Sequence, residues 1–410
     1  MIIHQPIITH HEGSIRVSAR IETEKVTHNL PNILWFKFPE SYSEYISERT
    51  DGFAACLLLV AMNLGEDLYI RGAISPQLLY GMQEYQRIFN LWLPKLFNLI
   101  ELHCESLQEI PQKSVQGSVA TAFSGGVDSF HTLWSHLPQN QPIPSAQITH
   151  GLFIQGVDIP LTQKENYHIT KETYSDIFRR LNLELITAQT NARQFSANRV
   201  EMRWFQVAPV IGTALVLGHQ LKRFYIPAAL SFLNLHTSGT TPLIDHLLST
   251  ETLDIIHHGA GTTRIEKLSI LSDFPETYDT LRVCYNVPHY EGVKNCSRCP
   301  KCLRTIAMLE LLGKLHMFTT FDSKYPSLLN ILRWGRFYNF SMGMATEAIQ
   351  YIAKKKKHLI PLLWIVIIMG WTRYLLLQIL PDWVQNPIKR RVSPPEAEPL
   401  FVIDPDESTP

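Results

Sequence analysis

An α/β fold built on a doubly wound parallel sheet is what the middle of this sequence predicts, and three observations predict it. From residue 118 to about 314, short apolar strands alternate with helix-length segments, the rhythm of a parallel sheet covered on both faces. The first strand, "VATAF", runs into a polar turn, "SGGVDS", that opens a helix; in such sheets ligands bind beyond the carboxyl ends of the strands. Near the end of the same stretch, four cysteines gather in one short segment.

The elements follow in order. Within residues 1–115, "SIRVSARIE" and "ILWFKF" read as strands, and "DGFAACLLLVAMNL" and "SPQLLYGMQEYQRIFNLWL" as helices. "LIELHCESL" then gives way to the polar "QEIPQKSVQGS", which marks a boundary. This part is expected to be an α+β accessory or dimerisation domain, and it offers no chemical constellation.

Residues 116–314 form the expected core domain. "VATAF" leads to a helix from Ser129, "THGLFIQ" to one around 163–181, and "LELITAQ" to one near 205–220; "RFYIPAA" and "LDIIHHG" follow as strands. A helical extension is expected over 315–392. The Pro- and acid-rich tail 393–410 has the composition of a disordered segment.

With 410 residues, 45% hydrophobic and 18% charged, the chain has room for two or three domains and a sizeable core. Lys plus Arg and Asp plus Glu both count 37, so no global field draws it to nucleic acid or acidic lipid. The N-terminus "MIIHQPIITHHEGS" lacks the charged start, apolar run and cleavage site of a secretory signal. An intracellular, cytoplasmic protein is therefore expected.

The turn Ser124-Gly125-Gly126-Val127-Asp128-Ser129 is suited to phosphate. Backbone N–H groups at a helix start have no intrahelical partner, and the dipole there favours negative charge. Gly125 and Gly126 let oxygens approach closely, and Ser124 and Ser129 add hydroxyls. Asp128 fits either as a helix cap or as a ligand for the Mg2+ that accompanies ATP. No Lys precedes Ser129 and the glycines are adjacent, so neither G-x-x-x-x-G-K-[ST] nor G-x-G-x-x-G is present. The motif resembles the S-G-G-x-D-S pyrophosphate loop of the N-type ATP pyrophosphatases. That resemblance implies an adenine nucleotide alpha hydrolase-like fold in which the loop holds the β- and γ-phosphates while a substrate oxygen attacks the α-phosphorus.

Cys284 and the run Cys296-x-x-Cys299-x-x-Cys302 carry the second signal. Four thiolates with C-x-x-C spacing suit tetrahedral Zn2+; an iron–sulfur cluster, a redox pair or unmetallated packing are the alternatives, and His289 between them reads as a surface residue. Loop and cysteines together resemble the 7-cyano-7-deazaguanine synthase family over residues 118–314. The flanking segments of about 115 and nearly 100 residues look like those of its enlarged branch.

The resemblance implies an ATP-dependent ligase releasing AMP and pyrophosphate. It would activate a carboxylate such as 7-carboxy-7-deazaguanine as an acyl-adenylate and convert it to an amide or nitrile. It assigns ATP phosphates to Ser124, Gly125, Gly126, Val127, Asp128 and Ser129, and structural Zn2+ to the four cysteines. The acceptor would be a small molecule or an N-acyl group. A tRNA-thiolating enzyme and a nucleotide-sensing scaffold without turnover are the competing readings.

Around the expected crevice, Gln155 and Asp158 follow the second strand, and Asn191 and Arg193 the third; Gln155 and Arg193 are taken as nucleotide-binding candidates. In "HHGAGTTRIEKL", Arg264 and Lys267 fall in the first turns of a helix starting near Thr262. Cations there oppose the dipole, and bound phosphate would compensate. Lys267 is the candidate partner of the departing pyrophosphate and, with Asp128 and Ser129, makes the catalytic set. Asp245, in a loop that could close over substrate, is a candidate for a purine-like edge. Among the 17 histidines, His257 and His258 included, none has a spacing that marks a catalytic base.

The last apolar stretch, Leu359 to Trp371, is interrupted by Thr372 and Arg373 and flanked by Lys354 to Lys357 and by "KRR" from Lys389. A buried or oligomer-facing helix, an interfacial helix and a transmembrane helix all remain open. A peripheral membrane contact through 354–391 and a homodimer follow from the first two; nothing signals nucleic acid.

Overall fold

The computed structural model describes residues 1–24, 30–111, 115–196, 199–284, 292–322, 324–336, 341–353 and 356–379. His289, Lys354, the "KRR" segment and the tail 393–410 lie outside the described residues.

The strands are β1 (Ile2–Ile3), β2 (Ile7–His11), β3 (Ser14–Glu22), β4 (Ile33–Pro39), β5 (Leu68–Ile74), β6 (Leu102–Leu107), β7 (Ser118–Ala122), β8 (His150–Gln155), β9 (Glu184–Thr190), β10 (Leu221–Pro227) and β11 (Asp254–His258). The helices are α1 (Asp51–Leu64), α2 (Pro76–Trp92), α3 (Val127–Ser135), α4 (Lys164–Arg180), α5 (Met202–Phe205), α6 (Ala208–Val216), α7 (Arg264–Leu271), α8 (Pro300–Leu312), α9 (Ser327–Arg333), α10 (Ser341–Ile352) and α11 (Ile360–Ile379). All the strands join one 11-stranded, mostly parallel sheet in the order β11-β10-β7-β8-β9-β4-β3-β1-β5-β6, with β2 on β3.

Period-2 alternation explains why its central strands are buried on both faces. Leu152 and Ile154 of β8, and Phe224 and Ile226 of β10, enter one core with α1 and α6. Phe153 and Tyr225, between them, enter a second core with α3, α4, α7 and α8. The strands β7 to β11 are parallel neighbours throughout. The chain moves outward from β7 through β8 to β9, then returns to place β10 on the other side of β7. The direction of winding therefore reverses between β7 and β10, where ligand crevices form in open α/β sheets.

The N-terminal part shares this sheet and its core. β4 pairs antiparallel with β9 through Phe36 opposite Thr190 and Lys37 opposite Gln189. Thr190 Oγ1 donates to the Trp35 carbonyl, while the Asn191 amide accepts from Trp35 N and donates to the Ile33 carbonyl. Asn191 is thus a latch for β4 and not part of the crevice. On the sheet face, α1 lies against α6 so closely that a Cβ on Gly52 would sit 2.4 Å from the Gly212 carbonyl oxygen.

The C-terminal helices α9, α10 and α11 add to the second core through Ile331, Ala345, Ala348, Leu363 and Val366. Residues Lys357–Leu376 make one helix long and apolar enough to cross a membrane by length and composition. Leu362, Leu363, Val366, Ile367 and Gly370 are buried, whereas Trp364, Ile368, Trp371, Leu375 and Leu376 are exposed.

Candidate functional site: the glycine turn and the cysteine cluster

The turn after β7 sits at the point where the sheet reverses. Gly125 has φ +73°, a conformation that favours glycine, and a Cβ there would lie 1.7 Å from the Tyr174 hydroxyl. Gly126 is extended and precedes α3, and no side chain caps that helix. Among the described residues, the first N–H groups of α3 thus have no side-chain acceptor. Ser129 Oγ donates to the Gly126 carbonyl at 3.0 Å, bracing the turn from inside. Tyr174 donates to the Ser124 carbonyl at 3.4 Å.

Asp128 does not cap the helix. One carboxylate oxygen meets Arg264 Nη2 at 2.9 Å and the other Lys267 Nζ at 3.1 Å. Burial alone would raise its pKa, but Arg264 and Lys267 outweigh it and hold the carboxyl below the usual range. A magnesium role for Asp128 therefore competes with an existing ion pair. Lys267 is buried and also donates to the Ala228 carbonyl, just past β10, at 2.6 Å.

The helix carrying both cations begins at Arg264, behind Thr263, with a reciprocal capping box between Thr263 and Glu266. Asp128 and Glu266 supply the compensation expected from phosphate. Buried Glu347 of α10 adds to it, accepting from Arg264 N, Ser231 Oγ and the Asn234 amide. The C-terminal extension thus reaches the rim of the crevice.

Three of the other candidates, Gln155, Arg193 and Asp245, already have protein partners. The Gln155 amide donates to the Pro160 and Leu161 carbonyls and accepts from Gln189, so it holds its own loop. Arg193 Nη1 donates to the Val157 carbonyl, and Asp158 is exposed. Asp245 is buried, accepts from Thr240 Oγ1 and Thr241 N, and pairs with His257 Nδ1 at 2.7 Å. It pins its loop to β11 through His257.

Residues that the sequence did not single out surround the turn. Arg282, two positions before Cys284, donates its N–H to the Gly125 carbonyl at 2.8 Å. Its buried guanidinium lies against the Tyr174 hydroxyl, and its Nη2 has no hydrogen-bond partner among the described residues. Arg304 of α8 is close enough to act on Asp128. His131, His136 and His258 pack together behind the turn, with Thr132 Oγ1 and His258 Nδ1 3.1 Å apart. Only the position of Arg282, between a helix and the first cysteine, was a visible hint.

The four cysteines converge. The Sγ atoms of Cys284 and Cys299 are 3.9 Å apart, those of Cys296 and Cys302 3.7 Å, and those of Cys299 and Cys302 3.4 Å. All four lie within 4.8 Å of one another. A zinc ion with bonds of about 2.3 Å makes a tetrahedron with edges of roughly 3.8 Å. Disulfides, at about 2.05 Å, are excluded. Cys299 N donates to Cys296 Sγ at 3.2 Å and Cys302 N to Cys299 Sγ at 3.5 Å, steadying thiolate charge from the knuckle and the first turn of α8. Cys296 is drawn below the usual thiol range by hydrogen bonds from Cys284, Cys299 and Cys302. The group could hold a structural zinc ion.

Compared with family models, with curated proteins and with solved structures, the chain matches none of them.

Proposed function

We propose that the chain binds ATP at the Ser124–Ser129 turn and uses it to activate a carboxylate as an acyl-adenylate, releasing pyrophosphate. One observation carries this reading: the start of α3 behind Gly125 and Gly126, at the reversal of the sheet, has no side-chain cap among the described residues and lies beside a convergence of cations. Arg264, Lys267 and Arg304 all act on the Asp128 carboxylate, with Glu347 behind them. Such a site favours an anion with several oxygens.

The N–H groups of the turn would hold the phosphates, and Lys267 and Arg264 would stabilise charge on the departing pyrophosphate, work that needs no nucleophilic side chain. Mg2+ would be carried on the phosphates, where it lowers the charge on the leaving group. Convergence of the four thiols favours a ligase with structural zinc over a thiolating enzyme, which needs a cysteine free to carry sulfur.

The test is incubation with ATP, 7-carboxy-7-deazaguanine and ammonium, with nucleotides separated by chromatography and the organic product weighed by mass spectrometry. AMP and pyrophosphate are expected, with an amide or nitrile of the deazaguanine if that is the acceptor. ADP and phosphate as the sole nucleotide products would reject the reading. ATP binding without any turnover would favour the sensing scaffold.

A further inference from the structure

The segment Leu281–Cys284 links the two halves of the site. Its main chain is held at both ends by Asn295, the residue before Cys296. The Asn295 amide oxygen accepts from Val283 N at 2.8 Å and Cys284 N at 3.0 Å, and its nitrogen donates to the Leu281 carbonyl at 2.7 Å. Thr320 Oγ1 donates to the same carbonyl. Between these anchors, Arg282 N holds the Gly125 carbonyl. Whatever fixes the cysteines therefore fixes the glycine turn as well.

The Arg282 side chain has no structural employment that matches its cost. It is 6% exposed, and among the described residues its Nη2 has no partner; Asp158, the carboxylate that acts on the same Tyr174 hydroxyl, makes no ion pair with it among those residues. A buried guanidinium without an ion-pair partner and with one nitrogen unpartnered is costly to bury. The guanidinium lies against Tyr174, whose hydroxyl touches the Ser124 carbonyl and the space above Gly125. It thus stands beside the turn whose N–H groups have no side-chain cap.

We propose that Arg282 is an anion-binding residue of the Ser124–Ser129 turn, taking an oxygen of a phosphate or pyrophosphate group, and that the four-cysteine cluster holds it in place. The assignment deepens the function proposed above but stands on separate ground, since it requires anion binding and no turnover. A planar guanidinium suits a phosphate oxygen pair, and Lys267 and Arg264 hold the other side of the turn through Asp128.

The experiment measures binding of inorganic pyrophosphate and of ATP to the full chain by calorimetry, together with thermal unfolding and bound zinc. Arg282→Gln is expected to weaken both anions by about ten- to a hundredfold, the value of one charge-assisted hydrogen bond. It should leave the zinc content unchanged and keep or raise the melting temperature of the ligand-free protein, because an unpaired buried charge has been removed. Arg282→Lys should restore part of the affinity. Asn295→Ala, with Arg282 intact, should also weaken pyrophosphate, as should chelation of the metal.

Wild-type affinity in Arg282→Gln, or a fall in its ligand-free melting temperature without loss of anion binding, would refute the assignment and mark Arg282 as structural. Arg282-dependent binding of pyrophosphate with no AMP formed from ATP would sink the proposed reaction and leave the assignment standing. AMP formation with Arg282→Gln binding normally would do the reverse.

Discussion

The Asp128 carboxylate and the Lys267 ammonium, separated by 139 positions in sequence, meet at 3.1 Å. The contact joins the glycine turn to the first turns of α7, and the Ala228 carbonyl fixes the same ammonium beside β10. Because Lys267 is buried, its removal leaves Asp128 with Arg264 in contact and Arg304 farther off. Lys267→Met is expected to destabilise the protein by about 3 kcal/mol and to abolish pyrophosphate binding. Urea unfolding of Lys267→Met, Asp128→Asn and the double variant measures the coupling. Additive effects would mean that the pair carries no coupling energy.

Gly125→Ala should disable the turn without touching a charge. The added Cβ would overlap the Tyr174 hydroxyl and ring, at 1.7 and 2.2 Å, in a conformation at φ +73°. Trimming Tyr174 to Phe removes the hydroxyl but not the ring carbon, so Tyr174→Phe should fail to rescue it. Nucleotide binding by fluorescence titration would read the loss, and normal binding in Gly125→Ala would contradict this geometry.

Acid should loosen the second core before the carboxylates titrate. Burial, reinforced by Lys267, lowers the His131 pKa to about 4; burial, with His136 and His131, lowers that of His258 to about 3. In the unfolded chain both protonate near 6.5, so between pH 6.5 and about 4 the unfolded state binds more protons. Stability falls with falling pH across that window by up to about 1.4 kcal/mol per pH unit for each group. Denaturant unfolding at pH 7, 6 and 5 should show the slope, and His258→Phe should flatten it. A profile equal to wild type in His258→Phe would show that the ring does not contribute.

Metal analysis of the purified chain should return about one zinc. Cobalt substitution should give thiolate-to-metal absorption, and Cys296→Ser should lose the metal and the cooperative unfolding of the segment around Leu281. Iron with visible absorption, or metal retained after Cys296→Ser, would contradict a four-thiolate zinc site.

Residues 116–379 alone should not remain monodisperse. Removing the N-terminal part strips β4 from β9 and α1 from α6, exposing an unpaired strand edge and an apolar face. Size-exclusion chromatography of the shortened chain is expected to show aggregates, and a stable monomer would count against the shared core.

The outer face of α11 should partition to anionic lipid. Leu363, Val366 and Gly370 pack on the protein, whereas Trp364, Ile368, Leu375 and Leu376 are exposed. Co-sedimentation with vesicles containing phosphatidylserine, with a blue shift of Trp364 and Trp371 emission, is the expected result; neither would be seen if protein covers this face.

What the sequence by itself determined was local. Alternating strands such as Ser14–Glu22, the helix Asp51–Leu64 and the turn at Gly125 were legible because backbone preference and side-chain period act over a few residues. The cysteine cluster was legible for the same reason, since three of its members share one short run. What the tertiary structure decided was partnership: Asn191 latches β4, Gln155 holds its own loop, Asp245 pins His257, and Arg282 arrives beside Gly125. A side chain's hydrogen-bonding capacity is finite, and which polar group consumes it depends on strand order and helix approach. Those are fixed by burial summed over the whole sheet rather than by any neighbouring residue.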